Sequence, residues 1–318
     1  MEYKLTLGEE PKMKNVSQSR MLFCSTFLIC ALIIALGLVL GLKLYNDDTG
    51  SGNNCNEMTN NQGNNQEQQT TTARPTTTTE SPVFVSNSKE GHYRFAAVSS
   101  DAPPCATIGT NIMAKQGGTV VDAAIATILC QCVYHFHSCG IGGGSFITVY
   151  NREKKEAYNI MAREMAPGQA NETMFIGTSS REGGLSVGIP GEIKGLWELH
   201  RLGGKLPWME LFQPCIKMCR YGMAIPGPVA SAIQSQTALI ERNPNLRNLL
   251  TNPNTNSYFK EGETIVRPKL ANTLEKIANE GADAFYNGSL SQDIVDDITE
   301  AGGIMTLEDL TKYTALKK

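Results

Sequence analysis

Residues 117–130 read GGTVVDAAIATILC, and apolar side chains occupy almost every face of this stretch. A surface helix would keep one polar face, so we predict a helix that is buried on all sides over Thr119–Tyr134. A glycine-rich turn, Gly140–Gly144, comes next, and two short apolar segments follow it at Phe146–Tyr150 and Glu156–Met161. Their spacing predicts a β-hairpin directly after the buried helix.

The segments on either side of this centre determine the fold class. Phe95–Ser100 is a candidate short strand, and the prolines at 103 and 104 open a predicted helix that ends before Gly117. Helical periodicity recurs after Gly191 in six segments: Glu192–Arg201, Pro207–Tyr221, Pro228–Arg242, Lys269–Asn279, Ser291–Ala301 and Leu307–Tyr313. Strands precede helices without a regular βαβ alternation, which favours the α+β class over a doubly wound sheet.

The composition of the whole chain excludes one class of partner. Hydrophobic residues make up 41% of the chain and charged residues 19%, and the net charge is -3. No basic excess exists to attract a nucleic acid, so we expect no nucleic-acid partner.

The first ninety residues differ from the rest of the chain. Met21–Leu42 has no charged residue, and as a helix it would extend roughly 33 Å, enough for a bilayer core. Basic residues cluster before it and only Lys43 follows closely, which predicts a cytosolic tail over residues 1–20 and an extracellular body. The alternative is a cleaved signal peptide, but the leader is long and no small-residue cleavage site ends the apolar run. We therefore predict a single-pass type II protein of the plasma membrane.

The segment after the predicted membrane helix is dominated by Asn, Gln, Thr and Ser. Such a composition buries too little apolar surface to fold, so we predict a disordered stalk over residues 43–91 and one domain over residues 92–318. Two N-glycosylation sequons lie in that domain, at Asn171 and Asn287, and an extracellular location makes both expected glycan sites.

Nine cysteines are present, and an oxidising compartment favours disulfides without fixing their partners. Cys215 and Cys219 lie four residues apart in a predicted helix, where Cβ atoms are about 5–6 Å apart. A disulfide needs Cβ atoms near about 4 Å, so we predict that both pack in the core as thiols.

Three patterns carry candidate chemistry. The glycine turn is either an anion cradle of backbone N–H groups or a close backbone crossing. His135, His137 and Cys139 alternate, so they are candidate metal ligands or a Cys–His pair, but no further cluster supplies a fourth ligand. Arg163 follows the second strand, where its guanidinium is either a clamp for a substrate carboxylate or a surface partner of Glu164.

Several blocks in order resemble the large subunit of γ-glutamyltransferases. The blocks cover residues 94–313 and include GGTVVDAAIATILC (117–130), HSCGIGGG (137–144), AREMAP (162–167), GGLSVGIPGEIKGLWELH (183–200), AFYNGSL (284–290) and GGIMTLEDL (302–310). The resemblance implies an N-terminal-nucleophile hydrolase fold, an αββα sandwich that two subunits build jointly. It also implies cleavage of the γ-glutamyl amide of glutathione and its conjugates, with transfer of the acyl group to water, amino acids or dipeptides.

The same resemblance assigns roles to particular residues. It gives Arg163 the α-carboxylate of the glutamyl substrate, pairs Cys105 with Cys130, and places a glycan on Asn287. The family's catalytic nucleophile is the N-terminal threonine of a small subunit that lies beyond this chain, so we expect no catalytic residue within residues 1–318 and no activity from the chain alone. We expect no cofactor and no metal.

Two hypotheses of different classes follow from this resemblance. In the first, the chain is a truncated large-subunit portion of a membrane-anchored γ-glutamyltransferase, whose partners are the small subunit, the lipid bilayer and γ-glutamyl compounds. In the second, it is a non-catalytic surface protein that retains only the large-subunit fold. An acylase or amidase of the same fold is a third, weaker alternative.

Overall fold

The computed structural model describes residues 91–318 of the chain. The predicted cytosolic tail, membrane helix and nearly all of the stalk lie outside these residues. Residues 97–318 belong to one compact unit, and residues 91–96 form neither helix nor strand. No helix within residues 91–318 is both long enough and apolar enough to cross a membrane.

Two helices form the N-terminal part of the body. Helix α1 (Pro103–Gln116) begins with two prolines and ends at Gly117, as predicted. Helix α2 (Val120–Tyr134) begins with a capping box, in which Thr119 and Asp122 exchange side-chain and backbone hydrogen bonds. Ten of its fifteen residues are buried, which confirms the prediction of a helix covered on nearly all sides. A disulfide joins Cys105 in α1 to Cys130 in α2, with their Cα atoms 5.3 Å apart.

The predicted hairpin supplies two strands of a three-stranded antiparallel sheet, and its second strand is the middle one. Strand β1 (Ser145–Asn151) pairs with β2 (Glu156–Ala162) in the register Ser145↔Ala162, and β2 pairs with β7 (Leu316–Lys317). Alternate residues of β1 are half-buried, and Ile160 and Ala162 of β2 are fully buried on the same face. Helix α3 (Glu192–Gly203) packs on this inner face.

Helices make up most of the rest of the chain. The other helices are α4 (Trp208–Tyr221), α5 (Gly227–Ser235), α6 (Thr237–Arg242), α7 (Pro244–Leu250), α8 (Pro268–Glu280), α9 (Asp283–Tyr286), α10 (Ser291–Glu300) and α11 (Leu307–Lys312). Two-residue strands pair as β3 (Met223–Ala224) with β6 (Thr264–Ile265) and as β4 (Thr251–Asn252) with β5 (Ser257–Tyr258). The mixed α+β class is confirmed. Cys215 and Cys219 are buried free thiols in α4, as predicted.

The structure corrects two of the predicted elements. The candidate strand Phe95–Ser100 is not a strand, because no strand among the described residues lies beside it to pair with. The predicted helix Pro228–Arg242 is interrupted at Gln236, where the Thr237 hydroxyl donates to the carbonyls of Ile233 and Gln234. Such local side-chain bonds compete with the regular helical pattern.

Helix α7 was missed by the sequence analysis. It begins with Asn243, whose side chain accepts a hydrogen bond from the Leu246 N–H, and with Pro244 at the first helical position. Asn as N-cap before Pro is a standard helix-start signal, so this helix was open to prediction.

Candidate functional site

Arg163 lies at the end of strand β2, one residue after Ala162. Its Nη1 donates to the Gly144 carbonyl at 2.8 Å, and its Nη2 forms an ion pair with Glu164 at 2.8 Å. The side chain is 39% exposed, and its guanidinium carbon lies 5.8 Å from the centre of the Phe146 ring. The structure is therefore compatible with both interpretations of this arginine. It is paired with Glu164, and it is exposed enough for a substrate carboxylate to reach it.

The glycine-rich turn holds this strand end by close backbone packing. A Cβ on Gly144 would overlap the Ala162 carbonyl oxygen, and a Cβ on Gly191 would overlap the same oxygen and the Tyr313 hydroxyl. The Gly143 carbonyl accepts the N–H groups of Gly191 and Glu192, at 2.8 and 2.9 Å. The turn therefore serves as the close backbone crossing, and it fixes the start of α3 against the end of β2.

The Tyr313 hydroxyl provides a further support for Arg163. It donates to the Arg163 carbonyl at 2.8 Å, and its ring stacks on Tyr286 with centroids 5.6 Å apart. Burial, with the carboxylates of Glu164 and Glu192, raises the pKa of Tyr313 to about 12. The hydroxyl therefore keeps its proton at neutral pH and remains a donor to this backbone.

A cleft of about 390 Å³ opens beside Arg163. Its lining residues are Gly142, Arg163, Glu164, Met165, Ala166, Pro167, Ala170, Met174, Phe175, Leu185, Ser186, Val187 and Gly188. Asp309 fixes one wall, because it accepts the Gly168 N–H at 2.8 Å while it caps helix α11 through Thr306. Arg163 and Glu164 are the charged side chains of this lining, so the cleft combines an apolar wall with one guanidinium–carboxylate pair.

Glu192, in the first turn of α3, is a buried acid that the sequence analysis did not single out. It is 3% exposed, and its Oε1 has no hydrogen-bond partner in the part of the chain that the structure describes. Burial raises the pKa of Glu192 to about 7; the Glu164 carboxylate acts in the same direction, and Ser145 and Arg163 act against it. An acidic residue in a first helical turn is ordinary, so the sequence carries no signal of this burial.

The outer face of the sheet carries large apolar side chains in contact with solvent. Phe146 is 69% exposed, Tyr150 63%, Met161 39% and Leu316 55%. Phe146 lies opposite Met161, and Met161 lies opposite Leu316, so three of them form a row across the strands. An apolar row of this kind is typical of a surface that another element covers.

The other candidate residues are not among the residues that line the Arg163 cleft. Asn171 and Asn287 are both exposed, and Asn171 accepts hydrogen bonds from Thr173, the third residue of its sequon. Cys139 forms a disulfide with Cys132, which removes its thiolate from the candidate set with His135 and His137. Within residues 91–318 no group of three or more His, Cys, Asp or Glu side chains is arranged to hold a metal.

A comparison with protein-family models identifies the chain. The model described as gamma-glutamyltranspeptidase matches residues 105–318, about two thirds of the sequence. The chain belongs to the gamma-glutamyltranspeptidase family. Arg163, Glu192 and the cleft all lie within the matched region of this gamma-glutamyltranspeptidase family member.

Curated relatives support the same assignment. The chain is 44% identical over 235 residues to scoloptoxin SSD14 of Scolopendra dehaani, covering 73% of this chain and 41% of the relative. It is 39% identical over 218 residues to glutathione hydrolase 3 of Arabidopsis thaliana, covering 68% and 34%. Glutathione hydrolase proenzyme 1 of Schizosaccharomyces pombe (strain 972 / ATCC 24843) is 37% identical over 228 residues, with 69% and 35% covered. The chain therefore spans about two fifths or less of these relatives' length.

Solved structures of the family share the fold. The gamma-glutamyltranspeptidase of Pseudomonas nitroreducens, complexed with L-DON, matches with a TM-score of 0.64 at 33% identity, covering 70% of this chain and 66% of that chain. The Helicobacter pylori gamma-glutamyltranspeptidase matches with a TM-score of 0.68 at 28% identity, covering 72% and 67%. The described residues therefore adopt the fold of this enzyme family.

Proposed function

We propose that this chain supplies the substrate-recognition part of a γ-glutamyltransferase. The complete enzyme cleaves the γ-glutamyl amide of glutathione and its conjugates and transfers the acyl group to water, amino acids or dipeptides. The observation that carries the proposal is Arg163, held at the rim of the cleft of about 390 Å³ within the region that matches the family.

Arg163 has the chemistry that the α-carboxylate of a glutamyl group requires. A guanidinium presents five N–H donors in a planar fork and binds carboxylates with two parallel hydrogen bonds. The contacts with Gly144 and Glu164 use Nη1 and Nη2 once each, so further N–H donors are free for a ligand. The cleft wall beside it includes the apolar side chains of Met174 and Phe175, which would contact the aliphatic part of a bound ligand.

The nucleophile in this proposal is the N-terminal threonine of a small subunit outside residues 1–318, released when the precursor cleaves itself. The exposed row of Phe146, Met161 and Leu316 supports such a partner, because a second sheet packed on it completes an αββα sandwich. The outer edge of β1, on which no strand from residues 91–318 pairs, supports the same partner, since an uncovered edge strand is an aggregation hazard.

We also propose that the enzyme is a type II ectoenzyme of the plasma membrane, with glycans on Asn171 and Asn287. The charge asymmetry around Met21–Leu42 supports the orientation, and the exposure of both asparagines permits the glycans. Protease added to intact cells should remove the body after Gly91 and leave a small membrane stub. Protection of the body would refute this orientation.

A non-catalytic surface protein with the same fold is the second candidate. The Arg163–Glu164 pair favours it, because an arginine that is already neutralised by its neighbour needs no ligand. The downstream genomic sequence separates the two candidates. A continuing reading frame that encodes a threonine nucleophile supports the enzyme, and an early stop with its own untranslated tail supports the surface protein.

Turnover of a γ-glutamyl anilide tests the enzymatic proposal. The 318-residue chain alone should release no aniline, and the chain joined to the C-terminal half of a family member should release it after self-cleavage. Turnover by the isolated chain would contradict the proposed mechanism. A joined chain that cleaves itself correctly but stays inactive would contradict the assignment of this body to a γ-glutamyltransferase.

A further inference from the structure

Oε1 of Glu192 is buried near Arg163 and lacks a hydrogen-bond partner among residues 91–318. The Ser145 hydroxyl is the side-chain hydrogen-bonding group that acts on this carboxyl. Unsatisfied buried polar groups are rare in proteins and costly, and an ionised carboxylate is the costliest of them. Glu192 is 3% exposed, and a glutamine of the same shape would avoid the cost of burying a carboxylate. The glutamate at this position therefore points to a role for its charge.

The backbone prevents this carboxyl from moving out to solvent. The N–H groups of Gly191 and Glu192 both donate to the Gly143 carbonyl, and Gly191 packs directly against the Ala162 carbonyl and the Tyr313 hydroxyl. The first turn of α3 is therefore fixed to the strand end that carries Arg163. Any change in the charge of Glu192 occurs at a fixed position relative to that arginine.

The polar groups around Glu192 come from every element packed against it. Ser145 of β1, Arg163 and Glu164 after β2, Tyr286 of α9 and Tyr313 after α11 interact with it. Among these groups, the Arg163 guanidinium is the cation.

Lys194 of the same helix is paired with other groups and not with Glu192. Its Nζ pairs with Asp283 at 3.1 Å and lies 5.2 Å from the centre of the Tyr286 ring. Ionised Glu192 therefore acts mainly on the positive charge of Arg163.

We propose that Glu192 is a positioning residue whose protonation state controls how strongly Arg163 binds the carboxylate of a γ-glutamyl compound. This inference rests on the function proposed above. When Glu192 is protonated, the carboxylate that competes with the substrate for the guanidinium, among residues 91–318, is that of Glu164. When Glu192 ionises, a second fixed negative charge repels the incoming carboxylate and holds the guanidinium back in the protein.

The direction of the pH effect follows from the burial of Glu192. Since burial raises the pKa of Glu192 to about 7, the residue changes from neutral to charged between pH 6 and pH 8. Carboxylate affinity at Arg163 should therefore fall over this range. By linkage, a bound carboxylate should also raise the pKa of Glu192.

The test is the affinity of the full chain for S-methylglutathione, measured by calorimetry at pH 6 and pH 8. The wild-type chain should lose about five-fold or more in affinity between the two pH values. Glu192→Gln, which mimics the protonated form, should keep the pH 6 affinity at both. The matched control is Glu198→Gln on the same helix, where Glu198 pairs with Arg201; it should retain the wild-type loss. An equal loss in Glu192→Gln would overturn the proposal.

A second measurement separates this inference from the proposed function. The NMR signal of the Arg163 Nε–H group in the wild-type chain should move with pH through about 7, and it should not move in Glu192→Gln. If S-methylglutathione does not bind at any pH, the substrate assignment fails, and the movement of this signal still decides whether Glu192 controls Arg163. A wild-type signal that is unchanged from pH 6 to pH 8 overturns the inference even where the ligand binds.

Discussion

The helical part of the domain and the region around Arg163 differ in how completely their apolar side chains are buried and their polar atoms are hydrogen-bonded. In the body, α1, α2, α4 and α8 bury their apolar side chains against one another. Near Arg163, Glu192 has one buried carboxyl oxygen without a hydrogen-bond partner among residues 91–318, and the outer face of the neighbouring sheet exposes Phe146 and Met161. The helical part of the domain therefore buries its apolar side chains more completely than the region around Arg163 does.

The largest expected effect is on the free energy of unfolding, and it compares one aromatic residue from each region. Phe212 is fully buried in α4 and packs edge-on against Trp208, with ring centroids 4.8 Å apart. Phe212→Ala should lower the free energy of unfolding by roughly 3–5 kcal/mol, because it leaves a cavity in the core. Phe146→Ala on the outer sheet face should change it by less than about 0.5 kcal/mol. Denaturant unfolding of both variants checks this, and equal losses would remove the distinction between the regions.

The Cys105–Cys130 disulfide provides a second test of stability in the helical part of the domain. It closes a loop of 25 residues, and the constraint on the unfolded chain should stabilise the fold by roughly 3–4 kcal/mol. The double variant Cys105→Ala/Cys130→Ala should lose about this amount in denaturant unfolding. Peptide mapping without reduction should recover the linked peptides, and two freely alkylated thiols would contradict the pairing.

The pH dependence of stability tests the description of the cleft region. The pKa of Glu192 is about 7 in the folded chain against 4.5 for an ordinary glutamate. Between these values the unfolded chain releases a proton that the folded chain keeps, so stability falls as pH rises from 4.5 to 7 and stays reduced above it. Glu192→Gln should therefore gain up to roughly 3 kcal/mol over the wild-type chain at pH 8, relative to the difference at pH 4.5. A pH-independent difference between the two proteins would show that Glu192 ionises normally.

Much of the body was predictable from sequence because its signals are local. The apolar run over Thr119–Tyr134, the prolines that open α1 and the hairpin spacing each determine an element without knowledge of its neighbours. Ordered family blocks then identified Arg163 as the candidate carboxylate anchor. The alternative environment of Arg163, a pair with Glu164, also follows from sequence, because the two residues are adjacent.

The parts that could not be predicted depend on distant contacts. Glu192 becomes unusual only because Gly143 and Ala162 approach the start of α3, and no local pattern reports that approach. The candidate strand Phe95–Ser100 failed for a related reason, since a strand requires a neighbour that local sequence does not supply.

The most direct test of the account is the KM for glutathione of the completed enzyme carrying Arg163→Ala. A bidentate contact with the substrate carboxylate predicts a rise in KM and a loss of about 2 kcal/mol or more in kcat/KM, with self-cleavage intact because that step uses no free glutamyl substrate. Arg163→Lys should also raise KM strongly, since an ammonium cannot reproduce the fork. Arg152→Ala, on the exposed turn at the far end of the hairpin, is the matched control and should leave KM unchanged. An unchanged KM in a folded, processed Arg163→Ala enzyme would make Arg163 a surface arginine and contradict the account.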